Sequence, residues 1–232
     1  MLCQTPLSFV LYQSGTVATV EATSQSVWDF FVSGGVLMIP ILICSVVALA
    51  ITLERYLALR RTRVIPDAFG DAVRMVLDGR YDEAWQRCES DATPACRILQ
   101  AGLRRRGLPL EDVERGMEDQ AGKEFGRLRG RLRPLNMLAN ITPLLGLLGT
   151  VVGIQESFHR VVRTGLGRPE NLASGIEVAL VTTIAGLSVA IPCLLVHAWF
   201  ASRVRQYLEE CDDQLSPLVE LLARAREQKD AA

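Results

Sequence analysis

Three stretches of this chain carry no charged residue, and each is long enough to cross a bilayer. They are Phe30–Leu53, Pro134–Gln155 and Val178–Ser202, of 24, 22 and 25 residues. At about 1.5 Å rise per residue, helices of this length reach about 33–38 Å, against a hydrocarbon core of about 30 Å that needs about 20 apolar residues. Helices in globular proteins average about 12 residues. Three such windows in 232 residues therefore argue for membrane spans over buried core helices. Overall composition hides the pattern, because 22% charged and 49% hydrophobic residues are ordinary for a soluble protein. All 25 Lys and Arg and all 26 Asp and Glu lie outside the three windows. The expected fold is all-α: an integral membrane protein with three transmembrane helices and long cytoplasmic helical extensions forming a bundle.

Basic residues near the span ends set the orientation. No Lys or Arg precedes the first window, whereas Arg55, Arg60, Arg61 and Arg63 follow it. Lys123, Arg127, Arg129, Arg131 and Arg133 precede the second window, and Arg203 and Arg205 follow the third. Arg160, Arg163 and Arg168, between the second and third, are balanced by Glu156, Glu170 and Glu177. The expected organisation is a periplasmic arm (1–29), span 1 (30–57), a cytoplasmic helical loop (58–133), span 2 (134–156), a short periplasmic loop (157–174), span 3 (175–202) and a cytoplasmic C-terminal helix (203–232). The first window begins about 30 residues in, with no basic residue before it and no small-x-small cleavage site after it, so it does not read as a cleaved signal peptide. An interfacial helix is expected near Trp28–Phe31.

Several function classes find no support. The six cysteines include no Cys-x-x-Cys pair, and the two histidines, His159 and His197, stand alone. Neither a zinc site nor a disulfide framework is indicated; no metal and no cofactor is expected. The polar segments are near charge balance, which argues against nucleic-acid binding. No nucleophile or phosphate-loop pattern suggests an enzyme. Gly146-Leu-Leu-Gly149 lies mid-span and cannot open onto a nucleotide site. A secondary transporter would need paired repeats and broken helices at the midplane, and no internal repeat is evident.

The polar body reads as helices broken at Gly79, Pro94 and Gly107-Leu108-Pro109. Leu110, Val113, Met117, Ala121, Phe125, Leu128 and Leu132 follow at spacings of 3 and 4, one apolar stripe for a partner helix. Val204, Leu208, Cys211, Leu215, Leu218 and Leu222 continue a heptad seam out of span 3, and Pro217 interrupts or kinks it. Span 3 and the tail together would make a helix of about 45 residues. The seams suggest oligomerisation.

Inside the membrane windows, small residues recur at helical spacing. Gly146, Thr150, Gly153 and Ser157 step by 4, 3, 4, and so do Ala179, Thr183, Gly186 and Ala190. Small faces let helices approach closely in lipid, and hydroxyls can bond across them. Two readings stay open: pure packing, with each Thr bonded back to its own helix, or the lining of a pore. Glu177 is ionisable at membrane depth and so a functional candidate. Ser174-Gly175-Ile176-Glu177 equally fits a capping box with Ser at the N-cap.

The ordered motifs across these windows resemble the ExbB/TolQ/MotA proton-channel family, and ExbB most. Span 1 contributes Gly34-Gly35-Val36-Leu37-Met38-Ile39-Pro40-Ile41-Leu42 and Ala48-Leu49-Ala50-Ile51-Thr52-Leu53-Glu54-Arg55. Span 2 contributes Thr142-Pro143-Leu144-Leu145-Gly146-Leu147-Leu148-Gly149-Thr150-Val151-Val152-Gly153-Ile154. Span 3 contributes Gly175-Ile176, Ala179-Leu180-Val181-Thr182-Thr183, Gly186-Leu187 and Ala190-Ile191-Pro192. The resemblance implies a bacterial inner-membrane channel subunit that uses the proton-motive force. It implies a homo-oligomeric ring, a pentamer, around a single-span ExbD/TolR-like partner. That partner's aspartate would exchange protons, and a TonB/TolA-like protein would carry force to the outer membrane. By motif position Thr150 and Thr183 would line the proton path, with Thr182 beside them, while Gly146, Gly149, Gly153, Gly186 and Ala190 form the helix-packing small face. Membrane lipid is the remaining partner.

Two positions depart from the family pattern. The family motif has Glu where this chain has Val178, and the carboxylate comes one residue early, at Glu177. At 100° per residue Glu177 lies about 120° to one side of Thr183, and Val178 about 140° to the other. The usual Tyr-Asn after the span 3 proline is His197-Ala198 here. ExbB-like transport is the main expectation. TolQ-like envelope maintenance and a non-conducting scaffold remain alternatives. A MotA-type subunit, with four spans and its large loop after span 2, fits less well.

Overall fold

The computed structural model describes residues 34–91, 93–165 and 169–230. The expected arm (1–29), the helix near Trp28–Phe31 and the first residues of span 1 lie outside the described residues. Among those described there is no strand. The helices are α1 (Met38–Ala58), α2 (Arg61–Val64), α3 (Asp67–Leu77), α4 (Tyr81–Ser90), α5 (Pro94–Arg104), α6 (Leu110–Gly130), α7 (Arg133–Thr164) and α8 (Pro169–Asp230). Three helical stretches, in α1, α6–α7 and α8, are long and apolar enough to cross a membrane. The protein is an all-α membrane protein.

The helix boundaries follow local chemistry. Gly79 and Gly107 adopt φ of +77° and +78°, a left-handed backbone that favours glycine, and they close the turns after α3 and α5. Pro94 opens α5 in the first turn, where its missing N–H costs nothing. α6 and α7 are separated only by Arg131 and Leu132, both still in the right-handed helical region. Pro134 cannot donate to the Gly130 carbonyl, so the ladder breaks there although the direction of the chain persists.

α8 runs unbroken for 62 residues, about 93 Å. Pro192 and Pro217 both lie inside it, so Pro217 does not interrupt the seam. The helix begins at Pro169 rather than at Ser174. That overturns the capping-box reading: Ser174 sits beyond the first turn, and its Oγ accepts from Arg160 Nη1 at 3.0 Å.

The tail seam has a partner within the same chain. Val204, Cys211, Leu215, Leu218 and Leu222 are buried with Phe69, Ile98, Leu99, Val113 and Phe125 in one continuous core. Burying each large side chain of this set contributes about 1.5–3 kcal/mol. Polar links hold the layers in register. Tyr207 Oη donates to the Leu59 carbonyl at 3.1 Å, and the Gly107 N–H donates to the Leu222 carbonyl at 2.8 Å. The inference from seam to oligomer is therefore corrected: the heptad positions are filled by α3, α5 and α6 of the same subunit.

At the other end, α1 lies against α7 and α8. Met38, Ile41 and Ala185 are buried together, with Leu145, Val181 and Val189 packed on them. The outward faces of the spans stay apolar and exposed, among them Ile43, Val46, Leu147, Val151, Leu180, Ile184 and Ile191. Such faces suit lipid or neighbouring helices.

Candidate functional site

α7 and α8 meet along a ladder of small residues, and their backbones approach too closely for side chains. A Cβ on Gly146 would lie 3.0 Å from the Thr182 carbonyl oxygen. One on Gly153 would lie 2.8 Å from the Gly175 oxygen, and one on Gly186 2.8 Å from the Thr142 oxygen. One on Gly149 would fall 2.5 Å from Thr182 Cβ. The pairings run Thr142 with Gly186, Gly149 with Thr182 and Gly153 with Gly175, so the two helices are antiparallel.

The contact face differs by one residue from the 4-3-4 pattern read from the sequence. On α7 it is Thr142, Gly146, Gly149, Gly153 and Ser157; on α8 it is Gly175, Ala179, Thr182, Gly186 and Ala190, and all ten are buried. Thr182, not Thr183, is the central hydroxyl residue of this face. It is fully buried, and its Oγ1 donates within its own helix towards the Val178 and Ala179 carbonyls, both at 3.0 Å. Ser157 is likewise buried and donates to the Gly153 carbonyl at 3.0 Å. The roles of Thr142 and Gly175 in the ladder went unread in the sequence. The signal was present, because 142, 146, 149, 153 and 175, 179, 182, 186 each step by 4, 3, 4.

Thr150 and Thr183 sit at the margin of this contact, half-buried. Each is rotated about 60° from the centre of its own contact face, in the same sense. In an antiparallel pair, equal rotations bring two residues to the same edge of the seam. Thr150 Oγ1 donates to the Leu147 carbonyl at 2.6 Å. Thr183 Oγ1 donates to the Ala179 carbonyl at 3.1 Å and lies 3.4 Å from the Gly146 carbonyl across the interface. Both hydroxyls thus have backbone acceptors on an otherwise apolar edge.

Span 1 covers the opposite edge. Val181 and Ala185 face α1, and Val178 would stand 3.8 Å from a Cβ on Gly35. The position where the family motif has its carboxylate therefore looks toward span 1. Glu177 points away from the seam and is exposed. His197 is half-buried. Among the described residues, no group of three or more His, Cys, Asp or Glu side chains is placed to hold a metal ion.

Three spans, a polar helical body and two spans packed closely through small residues define a multi-pass membrane protein. Residues 90–213 match the model of the MotA/TolQ/ExbB proton channel family. A putative biopolymer transport protein, ExbB-like 1, of Synechocystis is 35% identical over 189 residues, spanning 78% of this chain and 73% of that protein. A putative ExbB homolog of Methanothermobacter thermautotrophicus is 28% identical over 190 residues, covering 81% of this chain and 67% of its own. The Tol-Pal system protein TolQ of Pseudomonas aeruginosa is 26% identical over 197 residues, covering 77% and 84%. The chain belongs to the MotA/TolQ/ExbB proton channel family. Family and spans together make it a multi-pass inner-membrane protein.

Proposed function

We propose that this chain is the channel subunit of an inner-membrane motor that uses the proton-motive force. It would work with a single-span ExbD-like partner and a TonB-like protein to energise outer-membrane transport. In this reading the N-terminus is periplasmic, the polar body and C-terminus are cytoplasmic, and several copies, five by family resemblance, surround the partner. The observation that carries it is the shared edge of Thr150 and Thr183. Two hydroxyls at similar depth flank a seam that span 1 closes only on its other side. A partner helix bearing a titratable side chain would find polar groups there and apolar residues around them. Thr182 enters as a packing hydroxyl rather than a lining one, since it is enclosed within the subunit. Glu177, turned away from the seam, serves a contact outside that edge.

The test is proton flux into vesicles holding the subunit with its partner, comparing wild type with Thr150→Val and Thr183→Val. Both variants should assemble and co-purify with the partner yet lose most of the flux. Full flux in both would sink the pore assignment. Wild-type protein that binds its partner but never conducts would favour a non-conducting scaffold. The TolQ relative keeps envelope maintenance open as the service performed; the partner that co-purifies from the native membrane separates it from transport.

A further inference from the structure

We propose that the subunit holds one phosphate-bearing anion, the headgroup of an anionic phospholipid, in an arginine-lined cavity where the spans meet the polar body. The cavity has a volume of about 440 Å³ and lies between the end of α1, α2, the start of α5 and the end of α6. Five arginines line it: Arg55, Arg63, Arg97, Arg127 and Arg131. Only two carboxylates do, Asp91 and Glu124. Glu124 is buried and already engaged by Arg97 and Arg127, at 3.4 and 3.3 Å. Arg63 and Arg131 form no ion pair among the described residues. Arg55 is the second indication. It is 8% exposed, its Nη2 reaches Glu54, and its buried Nε has no hydrogen-bond partner. Arg55 thus lines the cavity with a guanidinium that is almost wholly desolvated and incompletely paired, a costly arrangement that a nearby anion would ease.

Depth points to the source. Arg55 stands two residues beyond the first charge-free window and Arg131 three residues before the second. Both therefore lie at the bilayer boundary, where lipid phosphates sit and basic residues between spans recognise them. A soluble phosphate shares the chemistry but not the location.

The experiment uses the full chain in mild detergent. It is titrated separately with dihexanoyl phosphatidylglycerol, dihexanoyl phosphatidylcholine and inorganic phosphate, and read by thermal unfolding and by native mass spectrometry. Phosphatidylglycerol should bind once per subunit and raise the unfolding midpoint, and Arg63→Gln/Arg131→Gln should weaken that binding about tenfold or more. Arg115→Gln/Arg224→Gln, which removes two positive charges elsewhere, should leave it unchanged. If the cavity double variant does not fold, Thr62→Glu, at an exposed position of the same lining, should reduce binding in its place. An equal response to inorganic phosphate, lost in the same variants, would uphold the anion site and assign it to a soluble ligand. No binding by any probe, equal binding to phosphatidylcholine, or equal loss in both double variants would overturn the proposal.

Discussion

Gly149→Ala tests whether the small-residue seam holds the two spans at their observed distance. The new Cβ would fall 2.5 Å from Thr182 Cβ, where carbon atoms in contact normally stand about 3.5–4.0 Å apart. The helices must separate locally by about 1 Å, and the neighbouring contacts at Gly146 and Gly153 loosen with them. Overpacking of this kind costs about 1–3 kcal/mol. Against it stands the helix preference for alanine, worth about 1 kcal/mol. The clash wins narrowly alone and clearly once the loosened neighbours are included, so a net loss of about 1–2 kcal/mol is expected. Gly122→Ala and Gly126→Ala supply the control. Both glycines lie inside α6 with nothing within 4 Å of the added carbon, so only the propensity acts and each variant should be neutral or more stable. Thermal unfolding followed by circular dichroism in detergent reads the difference as a few degrees. The reciprocal double variant Gly149→Ala/Thr182→Gly removes the clashing atoms and should recover part of the loss, a coupling of at least about 1 kcal/mol. If Gly149→Ala melts at or above the Gly122→Ala variant, or if the double variant shows no coupling, the two spans are not held by this contact.

Three further outcomes follow from the polar body. Glu124→Ala removes the buried acceptor of Arg97, Arg127 and Gln120; because both arginines reach solvent, the cost should be about 1–2 kcal/mol, read as a lower unfolding midpoint. Gly107→Ala places a Cβ at φ +78° and should cost about 1–2 kcal/mol, with normal assembly in native gels. Burial pushes the Cys211 thiol up from 9.0 to about 12, so folded protein should resist iodoacetamide there at pH 8. The unfolded thiol ionises first, so stability should fall as pH rises from about 9 towards 12, and Cys211→Ala should flatten that fall relative to wild type.

The membrane architecture was legible because it depends on what is absent from a window. Excluding charge over more than 20 residues has few physical explanations, and the structure places a long apolar helix in each of the three windows, in the first from Met38 onward. The glycine breakers were equally readable, since the left-handed glycines 79 and 107 have no cheap substitute, whereas Pro217 sits inside an unbroken helix. Phase was not. The sets 146, 150, 153 and 146, 149, 153 are both ladders of near-heptad spacing, and only the crossing of two helices decides between them. The sequence pattern selected Thr183 for the middle of the face, whereas the fold puts Thr182 within it and turns Thr183 about 60° to the rim. That one-residue difference carries functional weight: a hydroxyl sealed between two helices can only pack, and one at the rim can meet a partner. The tail seam failed for a related reason. A heptad stripe announces that something covers it without saying what, and α3, α5 and α6 do so within the subunit. In the proposed ring, contacts between copies would draw on what the fold leaves open, chiefly the exposed apolar faces of the spans. If so, charge introduced at exposed span positions such as Val151→Asp should disperse the assembly while leaving the polar body folded. Charge at the tail seam, as in Leu218→Asp, should unfold the polar body itself. Size-exclusion chromatography with circular dichroism on the two variants separates these outcomes, and a tail variant that stays folded but disperses would return the seam to the oligomer.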